Sequence, residues 1–298
     1  MILHLVAAAR PNFMKIAPLY HAMQKHRERF DIRIIHTGQH YDRNMSDSFF
    51  EDFHLPVPDV NFNIGGGSHA EQTAGILLAY EKYAQANRPD LVIVVGDVNA
   101  TMACTLVAKK LNLKVAHLEA GLRSYDLTMP EEINRMVTDA IADIFWTPSS
   151  DADANLMGNG IAGEKITFVG NIMIDSFEML RDQIMNEAPH DAYGLKPGEF
   201  GVATFHRPSN VDNKEQLFKV VDALKRAAVD MPIIFPVHPR TKARLQEYGL
   251  WETLVQHSGV VLDEPLSYIR FMGLVTRAKW VMTDSGGIQE ESTYLGIP

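Results

Sequence analysis

The sequence predicts an α/β fold in two halves, each a parallel sheet with helices on both faces. Two observations carry that expectation. Short, nearly continuous apolar runs alternate with helix-length segments along all 298 residues, the pattern of strands buried on both faces by crossover helices. The alternation lapses over 187–198, where Pro189, Gly194, Pro197 and Gly198 gather among charges, and then begins again. A chain of this length accommodates two domains of about 150 residues.

Taken in order, 2–6, 32–35, 91–95 and 115–118 read as the strands of the first half. Helical patterns at 14–26, 70–86, 100–111 and 131–142 separate and follow them. In the second half the strands are 200–204, 233–236, 260–262 and 280–283, with helical patterns at 214–229 and 266–275. A helix over 173–185 precedes the weak stretch and leads into the second half. The boundary therefore falls near Asn171, giving domains 1–171 and 172–298. Two similar α/β halves imply a cleft, and such sheets bind ligands at the carboxyl ends of their strands.

Composition narrows the function. Hydrophobic residues make up 46% and charged residues 22%, as in an ordinary globular enzyme. A net charge of −9 argues against a nucleic-acid partner, so a phosphate ligand needs a local basic pocket. Cys104 stands alone in the apolar run 102–108, which excludes an internal disulfide, fits a reducing compartment, and reads as a buried small hydrophobe rather than a nucleophile. The N-terminus carries no signal segment and no apolar run reaches membrane-spanning length, so the expectation is a cytoplasmic protein with no membrane partner.

The most informative segment is T-D-S-G-G-I-Q-E-E-S at 283–292, which follows the apolar run 280–282. Ser285 is placed to cap the next helix, and Gly286 and Gly287 let a ligand approach the backbone. The unpaired N–H groups and positive dipole end suit a phosphate. Glu290 and Glu291, one turn in, suit a sugar or ribose hydroxyl. An ordinary capped helix would look the same, so the weight comes from what ends the other strands.

Strand one runs into Ala9-Arg10-Pro11-Asn12, with Lys15 a turn later, and strand two into Thr37-Gly38-Gln39-His40. The next two end at Gly96-Asp97 and at Glu119-Ala120-Gly121-Leu122-Arg123. In the second half, Thr204 leads to His206-Arg207 and Pro236 to His238-Pro239-Arg240. Each alone has a structural explanation: Asp97 as a helix N-cap, Glu119 paired with Arg123, His238 as a satisfied loop histidine. Six polar clusters at one end of two sheets are harder to explain that way.

Several chemistries are disfavoured. No G-x-G-x-x-G follows the first strand, and no Walker motif is present. Gly65-Gly66-Gly67 follows no clear strand and reads as a mobile loop. The 12 histidines include no H-E-x-x-H pair, which argues against zinc, and no G-x-S-x-G elbow supports a serine hydrolase. What remains is acids (Asp97, Glu119, Glu131), histidines (His206, His40, His238) and cations (Arg10, Lys15, Arg207), a set suited to proton transfer on a phosphorylated substrate. Crowded carboxylates would raise one another's pKa and so divide into an acid and a base.

Together these residues resemble the non-hydrolysing UDP-N-acetylglucosamine 2-epimerases across nearly the whole chain. The motifs are A-R-P-N-F-M-K at 9–15, G-Q-H-Y-D at 38–42, V-G-D-V-N at 95–99, H-L-E-A-G-L-R-S at 117–124, M-P-E-E-I-N-R at 129–135, F-H-R-P-S-N at 205–210, and T-D-S-G-G-I-Q-E-E. The resemblance implies two Rossmann-like domains facing a cleft, as in GT-B glycosyltransferases, with no metal or redox cofactor and a homodimeric assembly. It implies anti elimination of UDP from UDP-GlcNAc to a 2-acetamidoglucal, then re-addition to give UDP-ManNAc, feeding ManNAc-containing surface polysaccharides. Asp97, Glu119 and Glu131 become the candidate acid and base groups, and His206 the candidate partner of the departing UDP. Arg10, Lys15, Ser285, Gly286, Gly287 and Glu291 would bind the nucleotide, and Phe271 would stack on uracil unless it is a core aromatic. His40 joins the substrate-binding set, while Gln39, Gln72, Arg207 and His238 suit a neighbouring activating site of the kind some bacterial relatives have.

Two departures stand out. Many relatives carry H-R-x-E-N where this chain has His206-Arg207-Pro208-Ser209-Asn210, and subfamilies act on modified sugars such as diacetamido-uronic acids. The chain also stops at Gly296-Ile297-Pro298, where relatives continue through a T-E-R-P-type segment, so the second domain reads as truncated. The rivals are a hydrolysing 2-epimerase that releases UDP and ManNAc, a GT-B glycosyltransferase, and a non-catalytic UDP-sugar sensor.

Overall fold

Alternating strands and helices close into two parallel sheets, in a computed structural model that describes residues 1–8, 10–38 and 52–298, without the Arg10 side chain. The expectations for His40, for Gln39 and for Arg10's contacts lie outside the described residues. The chain divides into two compact units, Met1–Ser176 and Phe177–Pro298.

In the first unit the elements run β1 (Ile2–Ala7), α1 (Arg10–Gln24), β2 (Asp31–His36), β3 (Val60–Asn61), α2 (His69–Ala86), β4 (Leu91–Val95), α3 (Asn99–Lys110) and β5 (Lys114–Leu118). They continue as α4 (Pro130–Ile141), β6 (Ile144–Thr147), α5 (Ser150–Gly158), β7 (Ile166–Phe168) and α6 (Ile172–Asn186), a helix that contains the division point. The strands form one sheet in the order β3-β2-β1-β4-β5-β6-β7, every pair parallel. Strand order reverses between β1 and β4, and the carboxyl ends at such a reversal are where α/β sheets bind ligands.

Local physics explains the elements that matter most here. The continuous apolar run of β4 is almost wholly buried, as a central parallel strand must be. Pro130 opens α4 where a missing N–H is harmless, and Glu131 and Glu132 answer the dipole in its first turn. Ser68 and Glu71 form a reciprocal capping box that starts α2 directly after Gly65-Gly66-Gly67. The buried core of this unit gathers Val6, Ile35, Tyr80, Val92, Val94, Val115, Phe145 and Leu156, with Cys104 among them. Burial pushes the Cys104 thiol far up, as expected of a hydrophobe rather than a nucleophile.

The second unit continues with β8 (Gly201–Thr204), α7 (Pro208–Val211), α8 (Lys214–Asp230), β9 (Ile233–Pro236), α9 (Pro239–Glu247) and α10 (Trp251–Val255). It ends with β10 (Val260–Asp263), α11 (Tyr268–Val275), β11 (Trp280–Thr283) and α12 (Gly286–Tyr294). The sheet order is β10-β9-β8-β11, again all parallel, with its reversal between β8 and β11. Leu217, Val221 and Leu224 of α8 pack with Ile233, Phe235 and Leu245 in its core.

The sequence pattern missed the short elements. β3 and β7 are too brief to alternate, and α5 and α9 each bury only two side chains, Ala152 with Leu156 and Thr241 with Leu245. Their stability is tertiary, and it leaves little periodic trace. Among the described residues no helix is long and apolar enough to cross a membrane.

Candidate active site

At the reversal of the first sheet the chain assembles two ion pairs. Lys15, on the second turn of α1, places its Nζ 2.5 Å from Oε2 of Glu119, which follows β5. Both side chains are largely buried, so the pair is shielded from solvent screening. Glu119 is held at φ +68, a left-handed conformation that costs a non-glycine residue about 1–2 kcal/mol. Gly96 follows β4 at φ +67, and a Cβ there would lie 3.3 Å from the Glu119 carboxylate and 3.6 Å from Lys15 Nζ. The left-handed backbone favours glycine here, and a Cβ would press on the ion pair.

Asp97 is answered by a different cation. Its Oδ2 accepts from Arg135 of α4, whose other Nη donates to Glu132 at 2.8 Å. Glu132 is buried and also accepts the Ser124 and Tyr125 amides, so it is a structural anchor. Neighbouring Glu131 is half-buried on the first turn of the same helix. Asn12 adds a tie, accepting from Ala8 N–H and donating to Val95 O at 3.3 Å each. The structural alternatives for these residues fail: Val98 occupies the N-cap of α3, and Arg123 pairs with Asp139 at 2.7 Å instead of Glu119. Of the three candidate carboxylates, Asp97 and Glu119 each face a cation.

At the reversal of the second sheet the arrangement is rich in donors. Ser285 occupies the N-cap of α12 but makes no side-chain cap bond, which corrects the expectation that it would. Its own amide donates to Thr283 Oγ1 at 2.9 Å, and the first turn of backbone N–H groups precedes the first intrahelical bond, from Gln289 to Ser285. The exposed Arg207 guanidinium reaches this helix start: a Cβ on Gly286 would sit 3.6 Å from its Nη2. A helix N-terminus with an arginine beside it has the chemistry to receive an anion.

Asp284 pins the neighbouring loop. Its buried carboxylate accepts the His206 and Arg207 amides and Asn210 Nδ2, and it stands 3.1 Å from His206 Nδ1. Burial alone would raise this carboxyl, but the bonds from His206, Asn210 and the two amides hold it well below the usual carboxylate range. The His206 ring, about two-fifths exposed, lies 5.9 Å from the ring of His238, the N-cap of α9, whose Nδ1 accepts from Arg240 N–H. On α12, Glu291 is buried; Oε1 accepts from Tyr268 Oη at 2.5 Å, and Oε2 has no hydrogen-bond partner among the described residues. Burial pushes the Glu291 carboxyl up to about 7. Phe271 is half-buried on α11, the helix that also carries Tyr268.

A family model described as UDP-N-acetylglucosamine 2-epimerase matches residues 21–298. The chain belongs to the UDP-N-acetylglucosamine 2-epimerase family. It is 41% identical over 303 residues to the UDP-N-acetylglucosamine 2-epimerase of Methanocaldococcus jannaschii, spanning 100% of this chain and 82% of that one. It is 37% identical over 299 residues to a Pseudomonas aeruginosa UDP-2,3-diacetamido-2,3-dideoxy-D-glucuronate 2-epimerase, spanning 98% and 80% of the two chains. The crystal structure of the M. jannaschii UDP-GlcNAc 2-epimerase with UDP-GlcNAc and UDP is similar at a TM-score of 0.89 and 42% identity, covering 100% of this chain and 83% of that one. A UDP-GlcNAc-bound 2-epimerase from Neisseria meningitidis gives a TM-score of 0.87 at 29% identity, covering 100% and 81%.

Within this 2-epimerase family member the sequence motifs held partners that sequence reasoning left without a role. Arg135 bonds Asp97 and Asp284 holds the His206–Arg207 amides, while Asn12 ties Ala8 to Val95; outside the motifs, Tyr268 bonds Glu291. Arg135 was signalled by its spacing, one helical turn after Glu131 on α4. Asp284 stood inside T-D-S-G-G, but nothing in one dimension shows that it bonds a loop 78 residues earlier. The Gln72 side chain, a candidate for an activating site, accepts from Asn99 Nδ2 at 3.0 Å.

Proposed function

We propose that this chain interconverts UDP-GlcNAc and UDP-ManNAc without hydrolysis, by elimination and re-addition of UDP. The observation that carries the proposal is the pairing of two of the candidate carboxylates with cations, Glu119 with Lys15 and Asp97 with Arg135, at the first sheet's reversal. In this scheme a carboxylate among Asp97, Glu119 and Glu131 removes the C2 proton, the C1–O bond to UDP breaks with its electrons leaving on the diphosphate, and a 2-acetamidoglucal results. Return of UDP to C1, with a proton delivered to the other face of C2, gives the epimer. The C2 proton is weakly acidic, so the leaving diphosphate needs preorganised positive charge. Arg10, Lys15, Arg207 and the Ser285–Gly286–Gly287 turn provide it, with His206 stabilising or protonating the departing oxygen. The buried Oε2 of Glu291 suits a ribose hydroxyl, and Phe271 suits the uracil face. His40 and His238 complete the substrate-binding set, and no metal or redox cofactor enters the scheme.

Proton NMR of UDP-GlcNAc with the protein in deuterated water tests this. Deuterium at C2 together with an anomeric signal for UDP-ManNAc is expected; free ManNAc with UDP would establish the hydrolysing reaction instead. A second reading, a diacetamido-uronate as substrate, is favoured by Pro208-Ser209 in place of the x-Glu of many relatives and by the likeness to the P. aeruginosa enzyme. Presenting that sugar in the same experiment separates the two, because only the true substrate exchanges its C2 proton at a catalytic rate.

A further inference from the structure

Behind the two ion pairs of the first sheet lies a fully buried histidine that the proposed chemistry does not use. His117, on β5, is 0% exposed. Its Nδ1 is 2.7 Å from Oδ1 of Asp139, on α4, and its Nε2 is 2.8 Å from the carbonyl oxygen of Gly96. A carboxylate and a carbonyl only accept, so satisfying both contacts requires both ring nitrogens to donate, as in an imidazolium. The other Asp139 oxygen accepts from Gly121 N–H at 3.1 Å and from Arg123 Nη1 at 2.7 Å.

The spacing of these contacts is the informative part. His117 and Gly121 lie two residues before and two residues after Glu119, and one carboxylate, Asp139, grips both. The same histidine holds the carbonyl of Gly96, the residue before Asp97. A single buried network therefore clamps the backbone on both sides of the left-handed Glu119 and immediately ahead of Asp97. The ring has no nitrogen left to exchange a proton with a substrate and no path to solvent.

We propose that His117, protonated at both ring nitrogens and paired with Asp139, is a positioning residue that fixes Asp97 and Glu119 relative to each other. The catalytic half of this inference rests on the reading of those two carboxylates as the acid and base groups. Gln at 117 keeps a polar group of similar reach but replaces two charged donors by one neutral amide. In the His117→Gln variant kcat is expected to fall at least about tenfold while KM and the UDP dissociation constant stay within about twofold, since a displaced carboxylate harms the chemical step more than ground-state binding. A variant with wild-type kcat, or one losing kcat and UDP affinity together, would overturn positioning, because the second pattern reports general loosening.

The protonation state is read on the unaltered protein by nitrogen-15 NMR. Two protonated ring nitrogens at His117 are expected, and one bare nitrogen would overturn the proposal even if the variant fails to fold. That spectrum needs no turnover. A protein that epimerises no UDP-sugar while showing the imidazolium would refute the proposed function and leave the network's charge state standing.

Discussion

The two sheet reversals handle charge in opposite ways. At the first, the anions Asp97 and Glu119 are each already met by a cation, and the backbone that carries them is bonded on either side. At the second, groups wait for a partner: donors at a helix start without a side-chain cap and on an exposed arginine beside it, and an acceptor on a buried glutamate with one oxygen unbonded among the described residues. Preorganised, internally neutralised groups suit chemistry, because they must not relax between substrates. Unanswered donors suit binding, because a ligand supplies the missing acceptor. Substitutions at the two reversals should therefore affect different constants.

The largest effect belongs to the first reversal. Glu119→Gln or Asp97→Asn should lower turnover by about 10²- to 10⁴-fold, the usual weight of a general acid or base, while UDP affinity moves by only a few-fold. Steady-state rates and calorimetric titration of UDP check this, and wild-type turnover in both variants would break the division. At the second reversal the pattern inverts. Arg207→Ala removes a charge-assisted bond to phosphate of about 1.5–3 kcal/mol, so UDP should bind about ten- to a hundredfold more weakly with kcat at saturation little changed.

The sheets were legible because β1, β4, β5, β9 and β11 are short apolar runs between helical patterns, and burial on both faces leaves that signature in one dimension. The ends of the strands were legible for a related reason: polar residues at a strand's carboxyl end stand out against an apolar background. The partners were not. Arg135 lies 38 residues from Asp97, Lys15 lies 104 from Glu119, and Asp284 lies 78 from His206. Those pairings are created by strand order, which periodicity cannot supply. Ser285 is different: it does occupy the N-cap that the sequence placed it at, but its side chain makes no cap bond, and its amide donates to Thr283 two residues back.

Glu291 makes the second reversal sensitive to pH. Its folded pKa of about 7 lies above the ordinary 4.5, so the folded chain holds the proton more tightly than the unfolded one. The stability it contributes is therefore full below about 4.5 and is lost as pH rises to about 7, a decline of up to about 3 kcal/mol that Glu291→Gln should abolish. Asp284 acts in the other direction and at lower pH, its contribution disappearing only as acid protonates it. Binding carries the opposite sign at Glu291. A ribose hydroxyl donates to a carboxylate, so UDP should bind more tightly as pH rises through about 7, by up to about tenfold per unit below it. The diphosphate titrates too, and the difference between wild type and Glu291→Gln isolates the carboxyl. Identical pH profiles for the two proteins would remove Glu291 from the nucleotide site.

The smallest effect separates a cap from a ligand group within one unit. Asn213 caps α8 by accepting the Glu215 and Gln216 amides, at 2.9 and 3.1 Å, so Asn213→Ala should cost about 1 kcal/mol in urea unfolding and leave UDP affinity alone. Ser285 occupies the same position on α12 without making such a bond. If its hydroxyl is reserved for phosphate, Ser285→Ala should leave stability within about 0.5 kcal/mol and weaken UDP severalfold. A loss of stability matching Asn213→Ala, with UDP affinity intact, would make Ser285 an ordinary cap after all. The donors at the second reversal would then reduce to Arg207 and the backbone, and the contrast between the two reversals would rest on those groups alone.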